Sequence, residues 1–105
     1  MITAHDLNDT TKSARIRAFL PRFAAASAPD PEAGDWRSWE SLLGSSEVAA
    51  GAPVTDGMAF TTDSGFATVS SSLLALPALG RKRRPIWRFA PGRPGQHPFA
   101  DVDLA

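Results

Sequence analysis

The sequence contains no cysteine. That excludes disulfides, thiolate metal sites and a cysteine nucleophile within these 105 residues. No apolar run approaches the roughly 20 residues needed to cross a bilayer. The opening MITAHDLND has no basic stretch followed by an apolar one, so it does not read as a signal peptide. Formal net charge is zero, which removes any whole-chain attraction to nucleic acid or to an acidic membrane. Only two histidines are present, His5 and His97, and neither has a second His, Asp or Glu at metal-ligand spacing. The glycines of GRPG belong to turns, with no strand–loop–helix context for a phosphate cradle. These absences point to a cytoplasmic chain with no membrane segment, no metal and no cofactor.

What is present is an ordinary globular composition, 43% hydrophobic, too apolar for global disorder. The length allows one domain at most. Residues 1–44 read as helical. Asp9, Thr10 and Ser13 are candidate N-caps, and Ile16, Phe19, Leu20 and Phe23 form one apolar stripe at helical spacing. Pro21 predicts a kink in that helix or the first turn of a second one. SAPDPEAG, residues 27–34, reads as a loop. A second helix follows, with Asp35 as its cap, Trp36, Trp39, Leu42 and Leu43 on its apolar face, and Gly44 at its end. Residues 45–54 show no usable periodicity.

Residues 57–90 read as a three-stranded antiparallel meander. Met58–Thr62 is a short strand, and Thr62–Gly65 has turn chemistry, with Gly65 able to take positive φ. Phe66–Leu76 is a long strand and Ile86–Phe89 the third. Residues 91–105 read as an irregular tail. Both faces of 66–76 mix apolar with small residues, as in a strand covered on both sides. Two helical segments can cover only one face of a three-stranded sheet. The pattern therefore predicts an α+β fold that lacks a layer. An uncovered apolar face of a few hundred Å² forfeits on the order of 10 kcal/mol, comparable to the net stability of a domain.

Candidate sites are few. RKRRP, residues 81–85, carries a local basic excess: six of the eleven basic residues fall between Arg81 and Arg93, and no acid falls between Asp63 and Asp101. An acidic or nucleic-acid partner would use that stretch with Trp87 and Phe89 as stacking residues. Those aromatics occupy strand positions, however, so a solvated hairpin loop guarding a sheet edge is the stronger reading. Trp36 and Trp39 read as core. Ser70, Ser71 and Ser72 place three hydroxyls in a buried strand, where they need partners or a polar cleft. His5 beside Asp6 supplies, with one of those serines, the composition of a triad but not its geometry. The candidate pocket-lining residues are His5, Ser70 and Ser71, with no catalytic residue assigned.

One family resemblance emerges from ordered segments: MITAHDLND, SARIRAFLPRF, PDPEAGDWRSWESLL, GFATVSSSLLALP, RPIWRFAPGRPG and FADVDL. Their order resembles the C-terminal part of NRDE family proteins, relatives of the transport and Golgi organisation 2 proteins. The resemblance spans nearly the whole chain. It implies an N-terminal-nucleophile hydrolase-like αββα sandwich, of which this chain would supply the C-terminal portion. It implies an N-terminal cysteine nucleophile and an Asn-Arg-Asp-Glu run upstream, neither of which lies in this sequence. An oxyanion-holding Asn common in related hydrolases would fall near Thr3-Ala4-His5, where Ala4 stands. A strand Arg common in relatives would fall near Thr68-Val69-Ser70, where Val69 stands. The partners so implied are the missing N-terminal portion or another copy of the chain, with a small-molecule substrate for the complete hydrolase.

Overall fold

Ser13 opens the first helix. Its backbone is extended, and its Oγ accepts from the Ile16 N–H at 3.2 Å, satisfying one of the donors that a helix start leaves orphaned. Asp9 does not cap the helix itself. It closes the turn before it, accepting from the Thr11 hydroxyl and from the main-chain N–H groups of Thr11 and Lys12. The Thr11 hydroxyl, then the Lys12 N–H, hold the Asp9 carboxyl below its ordinary value. The computed structural model describes residues 1 and 4–104.

Helix α1 runs Ala14–Ala25, with Ile16 and Phe19 fully buried. No second helix starts at Pro21; α1 continues through it, with Pro21 on the exposed side. Arg15, off the apolar stripe, ties the helix to the chain that follows. Its Nε donates to the Gly57 carbonyl at 3.0 Å and its Nη2 to the Thr55 carbonyl at 2.5 Å, and its guanidinium lies 5.6 Å from the Phe60 ring centroid. A single 3₁₀ turn at Val54–Asp56 supplies one of those carbonyls.

Helix α2 is Arg37–Leu43. Trp36, not Asp35, occupies the cap position and makes no side-chain cap bond. Asp35 instead grips Arg37, accepting from its main-chain N–H, its Nε and its Nη2. The Arg37 side-chain hydrogen bonds, then its N–H, lower the Asp35 pKa to about 2. Trp36 is buried, and Trp39 meets Phe23 of α1 edge-to-face with centroids 5.8 Å apart. Trp36 is thus a core residue, as its spacing predicts, whereas Trp39 is half-buried and lines the rim of a groove.

The sheet has three antiparallel strands in the order β1-β2-β3: Ser71–Ala75, Ile86–Ala90 and Ala100–Asp101. With two helices this is the α+β class that the sequence predicts. The third strand comes from a different place, however. Met58–Thr62 forms no strand of the sheet. Its Ala59 and Phe60 enter the core, and it meets the chain beyond the turn through one bridge, Thr61 to Ala67, and the Thr68 N–H on the Phe60 carbonyl at 3.0 Å. The turn between them holds: the Gly65 N–H donates to Thr62, and Gly65 takes φ +89°. Only the last part of the predicted 66–76 strand joins β2. The far edge, β3, comes from the segment read as irregular tail. Its register is Arg88 opposite Asp101 and Phe89 opposite Ala100.

Burial predicts unequal costs along the chain. Phe19→Ala should destabilise the fold by about 3–5 kcal/mol, whereas Leu79→Ala, at a side chain wholly in solvent, should cost under about 0.5 kcal/mol. Urea unfolding followed by circular dichroism measures both.

The Asp35 carboxylate gives a pH signature. A folded pKa of about 2 against an ordinary 3.8 means its contribution is complete above 3.8 and is lost as pH falls from there towards 2. Carbon-detected NMR titration should place the midpoint near 2, and Arg37→Ala should move it up towards 3.8.

Candidate functional site

Sequence reasoning singled out His5, Ser70 and Ser71, and the structure does not gather them in one pocket. His5 is exposed and lines a groove of about 260 Å³ with Lys12, Arg15 and Asp56, in which none of the three serines takes part. Thr3 lies outside the described residues. Ser70 precedes β1 and is exposed; Ser71 is half-buried on the helix-facing side. Ser72 points the other way and accepts the Trp87 indole N–H at 3.1 Å. That bond across the sheet's face gives Ser72 a structural partner.

A polar groove of about 610 Å³ runs between α2, the sheet and the 95–99 loop, lined by Arg37, Glu40, Arg88 and His97 among others. Arg88 is its centre and was not singled out by sequence reasoning. It stands in the middle strand with its side chain only 19% exposed. Its Nη1 bonds Glu40 of α2 at 2.5 Å, its Nη2 the Phe99 carbonyl at 3.2 Å, and its Nε lies 3.2 Å from Asp101 of β3. The signal that could have found it was the lone charge inside an otherwise apolar strand, IWRFA. His97 lies against Gly92, where a Cβ would come within 2.2 Å of the imidazole. Arg88 is matched by two carboxylates and Arg37 by Asp35, so both arginines of this groove are already paired. Among the described residues there is no group of three or more His, Asp or Glu that could hold a metal ion.

The remaining feature is the face of the sheet turned away from the helices. In the β1–β2 register Leu73 lies opposite Arg88, and Leu74 opposite Trp87. Side chains alternate across a strand. Leu73 and Ala90 therefore point with Arg88 towards the helices, where they are buried. Ser72, Leu74, Trp87 and Phe89 share the other face. Leu74 is 60% exposed and Leu76 77% exposed. Trp87 and Phe89 pack on one another, centroids 6.2 Å apart. Beside this face the connection 76–85 carries Leu79 and residues 81–84 in solvent. Arg83 pairs with Glu32; Arg81, Lys82 and Arg84 have no acidic partner among the described residues.

The chain exposes 7248 Å², where a compact monomer of its mass exposes about 5,700 Å². The excess on this one chain, about 1,500 Å², is roughly twice the share that one partner buries in a standard protein–protein interface. The radius of gyration, 14.9 Å, likewise exceeds the roughly 13 Å of a compact domain this long. Among the described residues no helix is long and apolar enough to cross a membrane. No protein-family profile, curated protein or solved structure matches the chain.

Arg88 makes a sharp prediction. Glu40→Ala leaves a half-enclosed guanidinium short of a partner and should destabilise the fold by about 1–3 kcal/mol. Asp101→Ala removes a largely exposed partner and should cost under about 1 kcal/mol. Paired denaturant titrations measure the difference; equal losses would refute a central role for the Glu40 contact.

Proposed function

We propose that this chain is a structural portion of a larger αββα protein of the NRDE type, supplying helices and strands to a hydrolase-like sandwich and turning over no substrate alone. The observation that carries this reading is the open apolar face of the sheet: Leu74 and Leu76 are exposed, and Trp87 and Phe89 beside them are only half-buried, against each other. In a two-sheet sandwich such a face packs against the facing sheet, about 10 Å away. The surface excess supports the same reading. So does the ordered resemblance to the C-terminal part of NRDE proteins, which would place the nucleophile in the polypeptide that completes the sandwich. The reaction of the complete protein would then be hydrolysis at a C–N bond of a small molecule.

The basic connection 81–84 enters this reading as the flank of the open face. A nucleic-acid site is less well supported, because Trp87 and Phe89 stand on the sheet and pack against each other instead of lining a groove that could track a phosphate backbone.

Two measurements test the proposal. The isolated chain should bind a hydrophobic dye and associate with increasing concentration, and Leu74→Lys with Leu76→Lys should suppress both. A dye-silent monomer that unfolds cooperatively would refute it.

A further inference from the structure

The open face has an open edge beside it. β1 is the edge strand, paired on one side by β2 alone. Which main-chain groups of β1 remain unpaired follows from β3. The Val102 N–H donates to the Trp87 carbonyl at 2.8 Å. In an antiparallel ladder the N–H and C=O of one residue point to the same side, and alternate residues point to opposite sides. Residues 87 and 89 therefore bond towards β3, and 86, 88 and 90 towards β1. Across the register, Ser71, Leu73 and Ala75 bond inward to β2. Ser72 and Leu74 then present their N–H and C=O outward, and among the described residues no main-chain bond reaches them from beyond the sheet.

An apolar groove of about 400 Å³ adjoins that edge, lined by Leu20, Phe23, Trp39, Leu43, Met58 and Leu74 among others. A strand laid along β1 would direct alternate side chains into this groove and the rest onto the open face. At the C-terminal end of β1, where Ala75 meets Ile86, the connection brings Arg81, Lys82 and Arg84, which have no acidic partners among the described residues. Main-chain donors and acceptors, an apolar groove and a cationic end together define a strand-addition site.

We propose that the β1 edge receives an extended segment of another polypeptide, running antiparallel to β1, with alternating apolar residues and acidic residues at its N-terminal end. This rests on the scaffold reading above and names the partner's chemistry. A second copy of the chain fits less well. Two-fold antiparallel pairing of β1 with β1 would set each basic connection against Thr68, Val69 and Ser70 of the other copy, a stretch without an acid. In-register parallel pairing would bring two basic connections together.

The test uses the full chain and a synthetic peptide of about nine residues, two glutamates followed by alternating valine and threonine. Added peptide should slow amide hydrogen exchange at Ser72 and Leu74 and change the fluorescence of Trp39 and Trp87. Binding should weaken roughly tenfold when Arg81, Lys82 and Arg84 are all changed to Glu, and should be lost when alternate peptide nitrogens are methylated. Leu74→Pro should abolish binding while leaving β2–β3 exchange unchanged, because the nitrogen it removes from bonding faces outward. No protection at Ser72 and Leu74, or equal binding of the methylated peptide, would overturn the proposal. So would concentration-dependent protection of those amides without peptide, which would make a second copy the occupant. Failure here with dye binding and self-association intact would leave the scaffold reading standing. A dye-silent monomer would remove the scaffold reading whatever the peptide does.

Discussion

One-sided burial governs this structure. A three-stranded sheet has two faces, and the two helices with the 57–62 segment cover one. The fully buried apolar residues Ile16, Phe19, Ala59 and Ala90, with Trp36, Leu73 and Phe60 close behind, all belong to that covered side or to the elements stacked on it. The strands carry apolar side chains on the other face as well. The surface excess, the elongated shape and the exposed leucines are expressions of the same shortage of covering residues.

Charge does within the covered layer what apolar contact cannot do alone. Arg88 reaches α2 through Glu40, β3 through Asp101, and the 95–99 loop through the Phe99 carbonyl. Arg15 links α1 to the 3₁₀ turn in a similar way, by two main-chain carbonyls. Each guanidinium connects elements too far apart for a short apolar side chain to bridge, and each uses more than one of its nitrogens to do so. This fits arginine's planar, multi-donor head better than lysine's point charge.

The sequence made the two helices, the 62–65 turn and the β1–β2 hairpin legible because each has a periodic or conformational signature. The Ile16–Phe19 stripe, the Trp36–Trp39 spacing and the positive φ at Gly65 are of this kind. β3 was not legible: two residues, Ala100 and Asp101, show no periodicity, and only their register against Arg88 and Phe89 makes them a strand. Met58–Thr62 misled for the opposite reason. Its apolar residues look like a strand but enter the core as an irregular segment, with the Thr68 hydroxyl accepting the Phe60 N–H at 3.2 Å. The candidate pocket of His5, Ser70 and Ser71 rested on residue types without spatial information, and the folded chain distributes those residues over different surfaces. The open face, by contrast, was legible as a strand too apolar on both sides for the covering residues available.

The Arg88 contacts also settle how the hairpin distinguishes its two sides. Leu73 and Leu74 are the same residue facing opposite ways, and Ile86, Trp87 and Phe89 are apolar on both faces. Hydrophobicity therefore discriminates weakly between the observed register and one shifted by a single residue, which would turn every side chain over. Arg88 breaks the tie. Shifted by one, it would stand on the open face, Glu40 would lose its counterion, and the helical layer would press against Trp87 or Phe89. An ion pair thus acts as the orientation key of an almost symmetric hairpin: inside and outside are assigned by a single charge, and the leucines follow.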